Sequence, residues 1–465
     1  MSVVQLPLAA PRHRNQQLFS DHYLNQILPT QAAWKALALE APAARQKIAA
    51  ILAGFTPSEN EAQLEADVIR PILKALGHTF EVQPALATPD GTKKPDYVLY
   101  RDAAGQAENR GKVLTEDLLR AKAFAVADAK YWNRPLDVAI KGKGGDPFNN
   151  RNPSYQIAFY VQQSGLLWGI LTNGRLWRLY HRDTAHKLDR FYEVDLSALI
   201  DADDPSAFLY FLAIFRRAAF EPGPLGVAEM LQASVDYALR VGASLKTQVF
   251  DALLHIAQGF LDYPANNLQP DPSTLKEIYD NSLILLYRLL FVFYAEAREL
   301  LPVRENQMYR DQYSLRALTR DIARDLDQGR HLLRTSARLW QRLKGLFESI
   351  DKGNPPLKVA TFNGGLFDPV HHRFLDRYTV GDDHLQQAID TLARVDGQFV
   401  DYRDLAEQHL GTIYEGLLEY HLQPIDPKDG WQVDLLNDRG ERKKIGSYYT
   451  PNYIVKYIVE HTLGP

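Results

Sequence analysis

The sequence predicts an α/β domain that is followed by a mainly α-helical domain. Up to about residue 205, short strand-like runs rich in β-branched and aromatic residues alternate with helical patterns. From about residue 206 to residue 425, apolar positions recur at three- and four-residue spacing over longer stretches. With 465 residues, 46% of them apolar, the chain is long enough for two to four domains with sizeable cores.

The α/β region begins with an amphipathic helix over residues 61–77, in which Pro71 predicts a kink or a restart and Gly77 suits a C-cap. A further helix is predicted over residues 155–163, and Asn173-Gly174 favours a β-hairpin with a type I′ turn. Strands are predicted at residues 79–82, 97–100, 123–130, 169–172 and 176–180.

The second region predicts long helices over residues 228–260, 273–300 and 315–350, as in a helical bundle. Pro-rich patches at residues 221–224 and 266–272 are interpreted as boundaries or loops. The longest apolar stretch, residues 282–295, is interrupted by Arg288, and no apolar run reaches the roughly 18 residues of a membrane span. We therefore interpret it as a buried core helix.

Composition excludes several classes of protein and site. The chain has no cysteine, which excludes disulfides and Cys-ligated zinc or iron–sulfur sites. Its first residues lack the apolar core of a signal peptide, so we expect a cytoplasmic protein that is neither secreted nor membrane-spanning. A net charge of -4 does not favour nucleic-acid binding, but local basic clusters can still bind DNA. Arg134, Lys141 and Lys143 are candidate DNA contacts, with solvated surface charge as the alternative.

The candidate catalytic residues are Asp96, Asp128 and Lys130. Pro95 places Asp96 at the edge of a strand, and the alternation of side chains along a strand puts Asp128 and Lys130 on one face. Two carboxylates can hold a hard divalent cation, which polarises a phosphate and lowers the pKa of bound water, while a lysine positions the water or offsets negative charge. The pattern predicts a metal-dependent phosphodiesterase; surface carboxylates beside a solvated lysine are the alternative.

Two helices supply further candidates. Glu61 and Glu65 lie four residues apart on one helix face, so either could be a further metal ligand. Gln156 and Tyr160 have the same spacing, and both could approach the lysine or the DNA backbone. An ordinary amphipathic helix with a tyrosine at the edge of the core is the alternative interpretation of this second pair.

Residues 59–180 resemble the PD-(D/E)XK nuclease domain, a restriction-endonuclease-like fold, of restriction-modification proteins. The resemblance rests on the Glu61/Glu65 helix, Pro95-Asp96, Asp128-Ala129-Lys130, Gln156 with Tyr160, and residues 169–174. It implies that Asp96 and Asp128 hold Mg²⁺, that Lys130 is the catalytic base or charge stabiliser, and that the substrate is double-stranded DNA. Asp128 stands where glutamate is commoner, which shifts the carboxylate by one methylene.

The rest of the chain resembles the helical connector of type IIG restriction enzymes and related phage-defence methyltransferases, at residues 286–298, 362–367 and 409–418. The following hexapeptide resembles the motif that opens their Rossmann-like N6-adenine methyltransferase domain: Gly446, Ser447, Tyr448, Tyr449, Thr450 and Pro451. The resemblance implies that this segment lines an S-adenosylmethionine pocket; an aromatic loop that caps a helix is the alternative.

The catalytic Asn/Asp-Pro-Pro-Tyr/Phe tetrapeptide of such methyltransferases is not in the sequence. Asn354-Pro355-Pro356-Leu357 is not a substitute, since it precedes the hexapeptide and has Leu357 where an aromatic residue must stack on the flipped adenine. We therefore expect a truncated methyltransferase domain that does not methylate DNA by itself.

The predicted organisation is a helical extension (1–55), the nuclease domain (56–205), the connector (206–425) and the start of the methyltransferase domain (426–465). The expected function is the N-terminal portion of a bifunctional restriction-modification or phage-defence enzyme, with other subunits of such a system as candidate partners. The alternatives are a methyltransferase with a vestigial or gating nuclease-like domain, and a non-catalytic DNA-binding module.

Overall fold

The computed structural model describes residues 13–139, 152–202, 205–362, 364–395, 397–405, 411, 413, 415–425 and 432–437. The chain divides into two compact units, Met1–Tyr237 and Ala238–Pro465. The first unit is built on a large mixed sheet with helices, which confirms the predicted α/β class. The second unit is mainly helical.

The strands are β1 (Arg14–Gln16), β2 (Thr79–Val82), β3 (Leu86–Thr88), β4 (Gly91–Lys93), β5 (Tyr97–Tyr100), β6 (Ala123–Ala129), β7 (Trp168–Thr172), β8 (Leu176–His181), β9 (Phe191–Asp195), β10 (Arg394–Val395), β11 (Gln398–Phe399), β12 (Tyr420–Ile425) and β13 (Gln432–Asn437). The α-helices are α1 (Ala32–Ala53), α2 (Glu61–Leu64), α3 (Arg70–Ala75), α4 (Ala103–Asn109), α5 (Glu116–Arg120), α6 (Pro153–Ser164), α7 (Arg182–Ala185), α8 (Leu196–Asp201), α9 (Pro205–Phe215), α10 (Val227–Asp262), α11 (Pro272–Ala297), α12 (Leu315–Asp327), α13 (Arg338–Lys352), α14 (Arg373–Arg377) and α15 (Asp382–Ala393).

The large sheet has seven strands in the order β1-β9-β8-β7-β6-β5-β2. Neighbouring strands are antiparallel except β6 and β7, which pair in parallel, and α6 lies in the connection between them. All five strands predicted from the sequence are present, with ends that differ by at most one residue. Two strands of this sheet were not predicted, β1 and β9, which form one of its edges.

The two faces of the sheet are covered by different helices. Apolar residues of α1, α3 and α9 pack with one face, and those of α6 pack with the other. Helix α6 approaches β7 closely because Gly169 has no side chain. A Cβ atom there would lie 2.4 Å from Cγ2 of Val161. Helix α9, which the predicted boundaries assign to the connector, contributes to the core of the first unit.

The predicted helix over residues 61–77 forms with an interruption before Pro71. Between α2 and α3 the backbone makes a π-type turn at Glu65–Ile69, in which the Arg70 N–H bonds to the Glu65 carbonyl five residues back. After α3, Gly77 has a φ of 87°, as the left-handed C-cap conformation requires. The Gly77 and His78 amides bond back to the carbonyls of Lys74 and Leu73, so the C-cap prediction is confirmed.

The hairpin between β7 and β8 is confirmed, but its predicted turn type is wrong. A type I′ turn needs positive φ at both central residues, whereas Gly174 has a φ of 80° and Asn173 is not in that region. The Asn173 side chain explains the difference. Its Oδ1 accepts from the Leu176 amide at 2.7 Å and its Nδ2 donates to the Arg134 carbonyl at 3.0 Å, so side-chain bonds stabilise a longer loop.

His78 is buried after α3 and hydrogen-bonds through Nε2 to the Phe215 carbonyl at 2.7 Å. Burial lowers its pKa from 6.5 to about 4. Since the unfolded chain binds this proton more readily, stability present above about pH 6.5 should fall by about 3 kcal/mol as the pH drops to about 4. Urea unfolding at pH 7 and pH 4.5 tests this, and His78→Gln should lose less stability on acidification than the wild type.

The exposed His186 is the matched control for that experiment. We expect His186→Gln to keep the wild-type acid sensitivity, because this side chain is exposed and is not part of the buried contact that His78 makes. Equal acid sensitivity of His78→Gln and the wild type would contradict the assignment to His78.

In the second unit, the predicted helices over residues 228–260 and 273–300 correspond to α10 and α11. The third, over residues 315–350, is wrong as a single helix. It is divided into α12 and α13, and Gly329 just after α12 has a φ of 70°, a conformation that ends helices. The predicted loop at residues 221–224 lies between helices, and that at residues 266–272 runs from the end of a 3₁₀ turn to Pro272, the first residue of α11.

Helix α11 is long and apolar enough to cross a membrane by length and composition alone. The core helix of a soluble protein meets the same criterion, and 67% of its most apolar window is buried within the protein. Arg288 inside this helix is buried and donates through Nε to the Leu366 carbonyl at 2.8 Å. These contacts favour the interpretation as a core helix.

Candidate functional site

Asp96 and Asp128 come together through the pairing of β5 with β6. The two strands are antiparallel, with Tyr97 opposite Ala127. One further step in this register places Asp96 opposite Asp128, and opposed residues project from the same face of a sheet. Asp96 Oδ2 accepts from the Ala129 amide at 2.7 Å, and Asp128 is 4% exposed. The structure therefore places the two carboxylates side by side.

Lys130 follows β6 and joins the same group. Its Nζ forms an ion pair with Asp128 Oδ2 and donates to its neighbour's carbonyl, that of Ala129, at 2.8 Å. The backbone amide of Lys130 donates to the Thr172 carbonyl at 2.8 Å, which fixes the residue at the end of the β6–β7 pair. The ammonium is thus held among the candidate catalytic carboxylates.

Burial and neighbouring charges shift the pKa values of Asp96 and Lys130. Burial and the Asp128 carboxylate raise the pKa of Asp96 to about 9, against the opposing effects of Lys130 and the Ala129 N–H. Burial alone would lower the pKa of Lys130, but Asp128, Asp96 and Glu61 outweigh it and raise the pKa above its ordinary value. Burial is therefore the main cause of the raised pKa of Asp96, and the neighbouring carboxylates are the cause of the raised pKa of Lys130.

Glu61 reaches this group from α2. Asn60 caps that helix by accepting from the Gln63 amide at 3.1 Å, so the first turn begins at Glu61. Glu61 Oε2 accepts from the Tyr131 amide at 3.0 Å, immediately after Lys130. Burial raises the pKa of Glu61, and Lys130 counteracts this. Glu61 is therefore a third carboxylate in electrostatic contact with the site.

Glu65 occupies a different environment. It is 4% exposed, and its Oε2 accepts from the Tyr97 hydroxyl and pairs with Arg70 Nη2 at 3.4 Å. Tyr97 and Val98 pack on opposite faces of β5, and strand alternation places Asp96 on the Val98 face. Burial and the Glu65 carboxylate raise the pKa of Tyr97. Glu65 thus holds the residue that follows Asp96 in place.

Replacing Glu65 with alanine should destabilise the first unit by about 2–4 kcal/mol, because the Tyr97 hydroxyl and the Arg70 guanidinium lose their shared acceptor. Urea unfolding measures this. Glu59→Ala is the matched control, since Glu59 is exposed on the segment that leads into the same helix. Equal stability of the two variants would show that the buried network contributes nothing.

Gln156 and Tyr160 lie on α6, and both are buried. The Tyr160 hydroxyl donates to the Lys94 carbonyl at 2.9 Å. Lys94 precedes Pro95 and Asp96, so this bond ties α6 to the segment that delivers Asp96. Gln156 lies one turn earlier on the same helix.

The donor set agrees with a hard cation in its chemistry. Asp96, Asp128 and Glu61 offer carboxylate oxygens, the ligands that Mg²⁺ prefers, and the pKa of Asp96 is raised first by burial and then by the Asp128 carboxylate beside it. Within the described residues, no group of three or more His, Cys, Asp or Glu side chains has the geometry of a metal site. One reason for the lack of metal-site geometry among the described residues is that the Lys130 ammonium is paired with the Asp128 carboxylate.

Of the basic residues predicted to contact DNA and those predicted to contact S-adenosylmethionine, the structure describes only Arg134. Arg134 is buried and donates through Nη1 to the Val138 carbonyl at 2.9 Å, so we do not retain it as a surface contact to DNA. Lys141 and Lys143 lie outside the described residues. The same is true of the whole predicted cofactor segment: Gly446, Ser447, Tyr448, Tyr449, Thr450 and Pro451.

Sequence reasoning missed the residues that support the site. Arg70 and Tyr97 were not singled out. Arg70 lies five residues after Glu65, across the π-type turn, and Tyr97 reaches Glu65 from β5. Asn354, in the Asn-Pro-Pro-Leu sequence, has a structural role. Its side chain accepts from the Leu357 amide at 3.3 Å in a short 3₁₀ turn, as expected of a structural Asn-Pro-Pro rather than a methyltransferase tetrapeptide.

Comparison with known proteins gives one informative similarity. No family model matches the chain, and no solved structure matches it. A curated protein of Methanocaldococcus jannaschii is 22% identical over 456 residues, a match that covers 86% of this chain and 32% of that protein. It is named "Putative type II restriction enzyme and methyltransferase". The chain therefore spans about a third of the length of the curated relative it matches.

Proposed function

We propose that the first unit of this chain is a Mg²⁺-dependent DNA endonuclease of the PD-(D/E)XK type, within a restriction-modification or phage-defence protein. The observation that carries the proposal is the placement of Asp96, Asp128 and Lys130 together at the ends of β5 and β6. The similarity to a protein named for restriction and methylation supports a restriction-modification role in general.

In the proposed site, Asp96, Asp128 and Glu61 would hold the cation, and Glu65 would not. The Glu65 carboxylate is already engaged by Tyr97 and Arg70, whereas Glu61 lies near Lys130 and Asp128. When bound, Mg²⁺ would polarise the phosphodiester and lower the pKa of a water ligand. Tyr160 would keep Asp96 in position through the Lys94 carbonyl.

Lys130 would act on the substrate directly. Its ammonium is paired with Asp128, whose charge a cation would share. Nζ could then donate to the attacking water or to a phosphate oxygen and offset the negative charge of the transition state. The raised pKa of Lys130 keeps this group protonated at neutral pH, which suits charge stabilisation better than proton removal.

The experiment is cleavage of supercoiled plasmid by the full chain with MgCl₂ and with excess EDTA. Asp96→Asn should abolish cleavage and weaken Mg²⁺ binding measured by calorimetry, because it removes a carboxylate from the proposed ligand set. Asp90→Asn, an equal charge change at an exposed position of the β3–β4 turn, should behave as wild type. Cleavage by Asp96→Asn at the wild-type rate would overturn the proposal.

A second candidate function is S-adenosylmethionine-dependent adenine methylation by the whole protein, with the nuclease-like unit as a vestigial or gating module. The name of the relative favours it, because that name joins both activities. Measuring N6-methyladenine and plasmid cleavage side by side separates the candidates: a vestigial module predicts methylation without cleavage. A non-catalytic DNA-binding module instead predicts binding that neither Mg²⁺ nor Lys130→Ala changes.

A further inference from the structure

The second unit contains a strongly basic segment that the proposed nuclease chemistry does not use. Residues 310–344 hold nine arginines and lysines and four aspartates, a formal net charge of +5 in a chain whose net charge is -4. This segment covers α12 and the first half of α13. Its charge is therefore concentrated well beyond the average of the chain.

The four aspartates of this segment are already neutralised by other cations. The pairs are Asp311 with Arg310, Asp321 with Arg324, Asp325 with Arg330, and Asp327 with Arg394. Arg316, Arg320 and Arg338 have no carboxylate within ion-pairing distance among the residues that the structure describes, and all three are exposed. Within the described part of the chain, these three guanidinium groups and that of exposed Arg334 form no ion pair and remain available to an external anion. Arg316 and Arg320 still interact electrostatically with Glu296 and Asp311.

Their arrangement is ordered. Arg316, Arg320 and Arg324 are exposed at four-residue spacing on α12 and form a stripe about 12 Å long. The opposite side of α12 is apolar and buried, so the stripe faces outward. Rigid helical spacing of guanidinium groups suits a regular array of anions better than scattered surface charge does.

Helix α13 lies beside this stripe. Arg342 on α13 is 3.7 Å from Asp321 of α12, and its Nη2 donates to the Gln312 carbonyl at 3.3 Å. Arg338 lies one turn before Arg342 on the same side of α13. We call Arg316, Arg320 and Arg324 of α12, together with Arg338 and Arg342 of α13, the arginine face.

We propose that the arginine face binds the phosphate backbone of double-stranded DNA. Guanidinium groups make bidentate hydrogen bonds with phosphates, and neutralising several phosphates at once releases condensed counterions. Contacts to the backbone position a protein on duplex DNA without reading its sequence. The choice of duplex DNA as the polyanion rests on the proposed function, whereas the positive charge of the arginine face is observed independently of it.

The test is binding of a fluorescent 40-base-pair duplex to the full chain in EDTA, measured by anisotropy between about 50 and 200 mM NaCl. The triple variant Arg316→Gln, Arg320→Gln, Arg338→Gln should bind at least about 10-fold more weakly at about 0.1 M salt. The slope of log K against log salt should decrease by about 1 for each phosphate that the protein no longer neutralises, so by up to about 3. Arg320→Glu alone should weaken binding in the same direction.

The matched control removes three charges of the same unit that already have carboxylate partners: Lys276→Gln, Arg304→Gln and Lys352→Gln. It should bind with the wild-type slope. Equal slopes for the two triple variants, or no duplex binding by the wild type, would overturn the proposal. The proposal would also be overturned if the arginine triple variant lost binding of a single-stranded RNA but kept wild-type binding of the duplex DNA.

These outcomes do not depend on cleavage, because the binding is measured in EDTA. If Asp96→Asn abolishes plasmid cleavage but the arginine triple variant keeps the wild-type salt slope, the nuclease proposal stands and the proposal for the arginine face fails. If Asp96→Asn cleaves plasmid as the wild type does but the arginine triple variant has a lower salt slope, the arginine face stands as a polyanion-binding surface and the nuclease proposal fails.

Discussion

Replacing Lys130 with methionine should lower DNA cleavage by a factor of about 10² to 10³ and also destabilise the first unit. The rate falls because no ammonium remains to stabilise the developing charge. The stability falls because Asp128, 4% exposed, keeps its charge without its partner. Removal of one member of a buried ion pair costs about 3–5 kcal/mol. Plasmid cleavage and urea unfolding measure the two effects.

A double variant separates the two effects. Asp128→Asn combined with Lys130→Met removes both charges, so we expect it to be more stable than Lys130→Met alone while its cleavage stays at background. Lys35→Met is the control, because Lys35 is exposed on α1. Wild-type cleavage by Lys130→Met would contradict the proposed catalytic role. A double variant that is no more stable than the single one would show that the ion pair is not energetically coupled.

The sequence predicted the centre of this site because its geometry is local. Alternation along β6 places Asp128 and Lys130 on one face, and that conclusion needs only the strand assignment. The grouping of Asp96 with Asp128 was a hypothesis from their chemistry and strand context, since no rule of spacing aligns two strands that are separated by α4 and α5. The structure supplies that register directly.

What the sequence could not provide depends on contacts between distant segments. Strand β1 is Arg14-Asn15-Gln16, three polar residues without a strand pattern, and it forms because β9 offers an open edge. The different environments of Glu61 and Glu65 arise from partners distant in the sequence, the Tyr131 amide for Glu61 and the Tyr97 hydroxyl for Glu65. Equal helical spacing therefore made the two glutamates look interchangeable when their contacts differ.

Asp382 shows the same limit with a large energetic consequence. Helix α13 begins after Ala337, which has no side chain that could cap it. Asp382, the first residue of α15, performs this role from a distance. Its carboxylate accepts from the amides of Arg338 at 2.7 Å and Leu339 at 3.0 Å, and from the Ser336 hydroxyl at 2.6 Å. The side chain is fully buried.

Asp382→Ala should therefore destabilise the second unit by about 3–4 kcal/mol, because it leaves buried N–H groups at the start of α13 without an acceptor and removes a favourable charge there. Urea unfolding of the full chain, followed by the fluorescence of the buried Trp340 in that first turn, measures the loss. Asp271→Ala is the matched control. Asp271 caps α11 through the Ser273 and Thr274 amides, but that cap is exposed, so water can replace it and the loss should be smaller. If the two variants lost equal stability, the burial of the acceptor would not be what makes the Asp382 cap strong, and the connection between α13 and α15 would have to be stabilised by apolar packing alone.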